Sequence, residues 1–134
     1  MSFVSLRHAA VVALSAFFII GAASSARADI RDYEFRLIER EVRKKDSIVS
    51  VRLIRKTDGK TVADAVIFAR RLDMAPEGME SMTAAMEPMP SKEPGVYRFK
   101  VNLSMEGDWR LSLAAKIQGE MGTVESRLIL KALP

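Results

Sequence analysis

Methionine is the residue whose number and spacing suggest chemistry in this chain. The 134 residues contain 8 methionines, a single histidine and no cysteine. Five of the methionines, together with three prolines, fall within residues 73–90. They are Met74, Met79, Met82, Met86 and Met89. Thioether sulfur without thiolate or imidazole selects Cu(I) or Ag(I) over zinc, calcium or magnesium. These five side chains are therefore candidate ligands for a soft metal ion.

The residues alone leave three interpretations of this segment open. The thioethers bind a soft ion as neutral ligands, or they fill a gap over the core as flexible hydrophobic groups, or they dock on an apolar partner. Four acidic residues in the segment either attract a cation or keep the segment soluble; they are Asp73, Glu77, Glu80 and Glu87. Their spacing lacks the alternating oxygen ligands and central glycine of an EF-hand. Met105 and Met121 lie in predicted turns and add sulfurs only if those turns lie near the segment.

Other chemistry finds little support in the sequence. Without cysteine there is no disulfide, no iron–sulfur cluster and no thiol nucleophile. We find no nucleophile elbow, phosphate-binding loop or dinucleotide-binding motif. The sequence therefore predicts that the protein is not an enzyme.

The first 28 residues have the pattern of a secretory signal peptide. Arg7 is followed by an apolar stretch over residues 9–23, and Ala26-Arg27-Ala28 is a small-x-small cleavage site. We predict cleavage after Ala28 and a periplasmic location, with an uncleaved membrane anchor as the alternative. Cleavage removes the single histidine, His8, and leaves 19 basic and 17 acidic residues, a net charge of +2. A charge this small argues against a nucleic-acid partner.

Alternation of apolar and polar residues predicts strands along most of residues 29–134. It is strongest at Tyr97-Phe99-Val101-Leu103 and at Trp109-Leu111-Leu113-Ala115-Ile117. The short connection between these two strands contains glycine and predicts an antiparallel hairpin, and the tryptophan is expected in the core. Residues 65–69 form an apolar run, which favours a strand buried on both faces or one crossing between sheets. Six or seven such strands predict an all-β, antiparallel β-sandwich.

Residues 73–90 interrupt this pattern and are predicted to be a methionine-rich loop or short helix inserted in the sandwich. Asp73 is a candidate cap for a helix with Pro76 in its first turn, ending near Ala85. On such a helix three methionines would share one face, at spacings of three and four residues; they are Met79, Met82 and Met86.

Three short motifs resemble the YtkA-like/FixH-like family of exported bacterial domains, over roughly residues 33–130. They are Leu72-Asp73-Met74-x-Pro76-x-Gly78-Met79-x-x-Met82, Gly95-Val96-Tyr97-Arg98-Phe99 and Ser104-Met105-x-Gly107-x-Trp109-x-Leu111. The resemblance implies a small immunoglobulin-like β-sandwich associated with copper or heavy-metal efflux or with cytochrome oxidase assembly. It also implies that Met74, Met79 and Met82 occupy the place of the family's methionine motif.

Two functions follow as expectations. In the first, a periplasmic, non-enzymatic domain binds or delivers Cu(I) or Ag(I) through Met74, Met79 and Met82, with Met86 and Met89 as reserve ligands, and serves an efflux or resistance system. In the second, a metal-free interaction module docks on an efflux or oxidase-assembly complex. The absence of histidine after residue 28 argues against a Cu(II) site and leaves thioether binding of Cu(I).

Overall fold

The computed structural model describes residues 29–134, which form nine strands and two short 3-10 turns. The predicted signal peptide lies outside the described residues. The strands are β1 (Tyr33–Leu37), β2 (Glu41–Arg43), β3 (Ser47–Arg55), β4 (Ala65–Met74), β5 (Met79–Ala84), β6 (Met86–Met89), β7 (Val96–Val101), β8 (Gly107–Ile117) and β9 (Val124–Leu133). The 3-10 turns are Ile30–Asp32 and Ala75–Glu77. Neither is long enough or apolar enough to cross a membrane.

The strands form two sheets that face each other across one core. One sheet has the order β1-β3-β7-β6 and the other the order β2-β9-β8-β4-β5. The strand pairs are antiparallel except for β2, which runs parallel to β9. The predicted β-sandwich is therefore confirmed. It has more strands than predicted because the methionine-rich segment itself forms β5 and β6.

Alternate residues of each sheet point inward, as the sequence pattern predicts. β3 contributes Val49, Val51 and Leu53, and β8 contributes Leu111 and the fully buried Trp109. The prediction that this tryptophan lies in the core is confirmed. An edge-to-face contact between Phe35 and Tyr97, with ring centroids 6.1 Å apart, adds to the packing within the four-stranded sheet.

The predicted hairpin between β7 and β8 is wrong. β7 pairs with β3 and β6 in one sheet, whereas β8 pairs with β4 and β9 in the other. Residues 102–106 therefore cross from sheet to sheet. The reason is that both strands turn their apolar residues toward the same core, so that Phe99 and Leu111 belong to opposite walls of it.

The predicted helix over the methionine-rich segment is limited to the single turn Ala75–Glu77. The N-cap of this turn is Met74, without a side-chain cap, and not Asp73 as predicted; Asp73 lies one residue earlier, and its Oδ1 accepts a hydrogen bond from the Ala75 amide at 3.0 Å. Gly78 ends it with a φ of 74°, in the left-handed region that glycine adopts easily. The chain then reverses direction and returns along β4 as β5.

The rest of the segment forms strands and not a helix, because its first half pairs with β4 and its second half pairs with β7. Met74 lies opposite Met79 and Leu72 opposite Ala84 in the β4–β5 pair. β6 leaves that sheet and pairs with β7 at the edge of the other one. Pro88 is tolerated there because an edge strand leaves one row of amides without a ladder partner. The segment is therefore one of the connections between the two sheets.

The apolar run 65–69 is not buried on both faces as predicted. Val66 is 66% exposed and Phe68 is 55% exposed. This run is the first half of β4, which pairs with β8 along one side. On its other side β5 pairs only from Leu72 onward. Within the described residues, positions 65–71 are thus an unpaired strand edge.

Candidate metal centre

The five methionines of residues 73–90 lie on three strands in two sheets. Met74 ends β4 and is fully buried, while Met79 and Met82 lie on β5 and are partly buried against the core. Met86 is a core residue on β6, 7% exposed, and Met89 follows it at the edge of the other sheet. Met86 and Met89 therefore lie in the other sheet from Met74, Met79 and Met82, and the helix face predicted for Met79, Met82 and Met86 does not form.

A different set of three thioethers shares one pocket. Met74, Met79 and Met105 line a pocket of about 530 Å³ at one end of the sandwich. The first two lie opposite each other on β4 and β5, and Met105 comes from the connection between β7 and β8. Its other lining residues are Glu77, Glu106, Gly107, Lys131, Ala132, Leu133 and Pro134. Two turns far apart in sequence thus bring methionine residues to the same pocket.

Hydrogen bonds hold the two turns in position. The Trp109 indole Nε1 donates to the Met105 carbonyl oxygen at 3.1 Å, so the buried ring fixes the backbone that carries this methionine. The Asp108 amide donates to Glu77 Oε1 at 2.9 Å and joins the β8 end to the turn between β4 and β5. The pocket wall is therefore tied directly to the core.

Asp73 is a second anchor for the β4–β5 turn, and it is fully buried. Its Oδ2 lies 2.9 Å from Arg71 Nε and 3.0 Å from Arg110 Nη2. Burial alone would raise the pKa of this carboxyl, but the Ala75 amide and the two guanidinium groups outweigh it and lower the pKa below its usual value. Arg110 also lies 3.3 Å from Glu80 on β5. The network joins β4, β5 and β8 immediately beside Met74 and Met79.

Accessibility differs among the three pocket methionines. Met105 is 40% exposed, Met79 is partly exposed, and Met74 forms the buried floor. An ion from solution would therefore meet Met105 and Met79 first. The charged lining residues are Glu77, Glu106 and Lys131, and Lys44 Nζ lies 3.8 Å from Glu106, so the charges around the pocket balance. Neutral thioethers suit a soft cation such as Cu(I) or Ag(I).

Gly107 keeps this pocket open, and Gly107→Ala is expected to disturb it. A Cβ at this position would lie 3.0 Å from Glu77 Oε1 and 3.3 Å from Met74 Cε, and the φ of 122° is one that alanine rarely adopts. We expect a loss of about 1–3 kcal/mol in the free energy of unfolding, measured by urea denaturation. Gly59→Ala, which meets nothing within 4 Å at a φ of 70°, is the control for backbone strain alone. Equal losses in the two variants would show that the pocket is not tightly packed there.

Sequence reasoning named Met74 and Met79 as candidate ligands, Met105 as a distant sulfur and Glu77 as a possible cation-attracting acid, but it did not identify Glu106 or Lys131 as their neighbours. The signal for Met105 was its place in a turn, and only the pairing of β8 within the same sheet as β4 brings that turn to the pocket. In residues 29–134 no group of three or more His, Cys, Asp or Glu side chains forms a possible metal site.

Comparisons with known proteins give a family and two distant structural likenesses. A family model described as YtkA-like matches residues 27–114. The chain is similar to the filamin domain of Lin-41, with 15% identity, a TM-score of 0.45 and coverage of 79% of this chain and 94% of that one. It is also similar to the ZirS C-terminal domain, with 13% identity, a TM-score of 0.47 and coverage of 100% and 88%. A comparison with curated proteins gives no match.

Proposed function

This chain belongs to the YtkA-like family, and we propose that it is a non-enzymatic domain that binds or delivers Cu(I), or the similar ion Ag(I). The ligands are Met79 and Met105, with Met74 at the floor of the same pocket. The observation that carries the proposal is that thioethers from two separate turns line one pocket. The pattern of residues 1–28 supports action in the periplasm. The sequence resemblance supports a role as accessory to a heavy-metal efflux or resistance system.

The chemistry of the pocket supports a soft, monovalent ion. A thioether carries no proton, so that binding requires no deprotonation of the ligand. Glu77 and Glu106 lower the cost of placing a cation nearby, while Lys131 limits the total negative charge. Glu106 also lies 3.8 Å from Lys44 Nζ, which orients it at the rim. The proposed site differs from the sequence expectation by gaining Met105 and by leaving out Met82, Met86 and Met89.

The double substitution Met79→Leu with Met105→Leu tests this site. Leucine keeps apolar volume and removes sulfur, so the fold should persist while affinity for Cu(I) falls by more than about 100-fold, since even outer-shell changes cost 10–100-fold. The measurement is an anaerobic competition titration of the purified chain with a chromophoric Cu(I) chelator. Affinity is expected to stay constant between about pH 5 and 8, because no ligand titrates there.

Met82→Leu with Met89→Leu is the matched control, because these methionines lie outside the pocket. It is expected to bind Cu(I) as tightly as the unsubstituted chain. If both double variants bind equally well, the pocket is not the site. If the unsubstituted chain takes up neither Cu(I) nor Ag(I), the proposal fails altogether.

A metal-free interaction module, docking on an efflux or oxidase-assembly complex, is the second candidate function. It is favoured by the exposed apolar side chains of Val66 and Phe68 on the unpaired edge of β4. Docking through this edge should survive the methionine-to-leucine substitutions, whereas metal binding should not. Normal biological activity of the Met79→Leu, Met105→Leu variant would therefore favour the second function.

A further inference from the structure

The unpaired edge of β4 borders a groove between the two sheets. The groove has a volume of about 620 Å³ and runs between the first half of β4 and the edge formed by β6 and β7. Its apolar walls include Ile67, Met89, Tyr97 and Phe99. Val66 and Phe68, on the same half-strand, are more than half exposed beside it. Residues 65–69 of this edge carry no charged side chain, whereas most soluble proteins cover or charge an exposed apolar strand edge.

The side chains of Tyr97 and Arg70 form hydrogen bonds across the groove. The Tyr97 hydroxyl donates to the Val62 carbonyl at 2.9 Å and accepts from the Ala65 amide at 3.2 Å, which ties β7 to the start of β4. Arg70 Nε donates to the Met86 carbonyl at 3.0 Å and ties the far part of β4 to β6. The groove is thus bridged near both ends, and its middle is unfilled by any side chain of the described residues.

The rim of the groove is positively charged. Arg70, Lys92 and Arg98 line it, and none of them forms a salt bridge within residues 29–134. The acidic lining residue, Glu93, lies 3.7 Å from Arg52 and is partly neutralised by it. A ligand with carboxylate groups therefore fits the rim, and one with apolar groups fits the walls.

We propose that this groove binds an extended segment of another protein, carrying alternating apolar and acidic side chains, as an added strand on residues 66–69 of β4, between the Tyr97 and Arg70 bridges. The backbone of this edge supplies the hydrogen bonds, the groove takes the apolar side chains, and Arg98 and the free end of the Arg70 guanidinium bind the acidic ones. Four residues of strand span about 13 Å. The register irregularity between Ile67 and Ala69 sets Phe68 out of the β4–β8 ladder.

A second copy of this chain fits the groove less well. In an antiparallel pair of two β4 edges over residues 65–71, Arg70 and Arg71 of one copy lie opposite Val66 and Ala65 of the other, and this stretch has no acidic residue. Such a pair would give the arginines of neither copy a carboxylate partner. A separate acidic partner supplies carboxylates and accounts for the three cationic side chains that have no salt bridge in the described part of the chain.

The test uses the full chain without metal and two fluorescein-labelled nine-residue peptides, one alternating valine with glutamate and the other valine with lysine. In fluorescence anisotropy we expect the glutamate peptide to bind at least about tenfold more tightly, and Arg70→Glu with Arg98→Glu to reverse that preference. Arg40→Glu with Lys56→Glu, two exposed positions outside the groove, is the control and should bind as the unsubstituted chain does.

Amide hydrogen exchange on the unsubstituted chain supplies a second measurement that needs no variant. An added strand should protect amides within residues 66–69 from exchange, which charge attraction alone would not do. Binding without this protection, or equal binding of both peptides, would overturn the proposal. Protection that grows with protein concentration in the absence of peptide would assign the edge to a second copy instead. The Met79→Leu, Met105→Leu variant should bind the peptide normally, so this proposal and the metal proposal can fail separately.

Discussion

Replacement of Asp73 by asparagine is expected to lower the free energy of unfolding by about 3–5 kcal/mol at neutral pH. The carboxylate is fully buried and accepts from the Ala75 amide, Arg71 and Arg110. Asparagine keeps the shape but removes the charge, so two guanidinium groups remain beside a neutral amide. Their repulsion is no longer offset, and the joint between β4, β5 and β8 weakens. Urea denaturation followed by tryptophan fluorescence measures the loss.

Asp58→Asn is the matched control for this substitution. Asp58 pairs with Arg55 at 2.8 Å, but both side chains are about one-third exposed, at 35% and 36%. Water screens such a pair, and we expect a cost of about 1 kcal/mol or less. If the two variants lose equal stability, the buried network contributes no more than a surface ion pair.

The same network makes stability depend on pH at acid values. Because the pKa of Asp73 is lowered in the folded state, its contribution is complete above the unfolded-state pKa of about 3.9 and disappears as the pH falls through the folded-state pKa. The stability difference between the unsubstituted chain and Asp73→Asn should therefore be constant from about pH 5 to 7 and shrink below about pH 4. A difference that grows on acidification would contradict this assignment.

Gly95→Ala is expected to cost about 2–4 kcal/mol of unfolding free energy. Gly95 has a φ of 81°, and a Cβ there would lie 2.5 Å from Thr61 Cβ and 3.2 Å from the Val62 amide nitrogen. Its carbonyl also accepts from the Leu53 amide at 3.0 Å, so the loop cannot move away without breaking that bond. Both backbone strain and a steric clash therefore oppose alanine. Thermal and urea denaturation measure the effect.

Gly119→Ala separates the clash from the strain. Gly119 has a similar φ of 83° but nothing within 4 Å of the added carbon. It should lose only the strain energy, about 1–2 kcal/mol. If the two variants have the same free energy of unfolding, the loop that carries Gly95 moves away from Thr61 with little loss of stability.

Strand positions could be predicted from the sequence because alternation reports burial directly. The Tyr97 and Trp109 strands are where the pattern places them. Their pairing could not be predicted, because alternation states which face is buried and not which strand lies alongside. A short glycine-containing connection is equally compatible with a hairpin and with a crossing between sheets. The chain crosses between the sheets because both strands bury their apolar residues in the core that lies between them.

The candidate site could be predicted only in part for the same reason. Spacing of three and four residues indicates a shared helix face, and the methionine segment has that spacing without being helical. Met74 and Met79 lie opposite each other because the chain reverses direction between them and pairs β5 with β4. Met105 joins them through contacts about 30 residues apart in sequence, and Asp73 finds Arg110 in the same way. Such contacts depend on strand register, which local patterns do not contain.

The parallel pairing of β2 with β9 has a consequence for folding kinetics. The two strands are about 90 residues apart, as Glu41 pairs with Lys131, and β9 is the last strand of the described chain. The order β2-β9-β8 therefore cannot begin to form until nearly the whole domain has been synthesised. Closing so long a loop is entropically costly, and folds dominated by distant pairings form in milliseconds to seconds. We expect β2 to remain without its partner until β9 is available, whereas β1 and β3 pair with each other earlier.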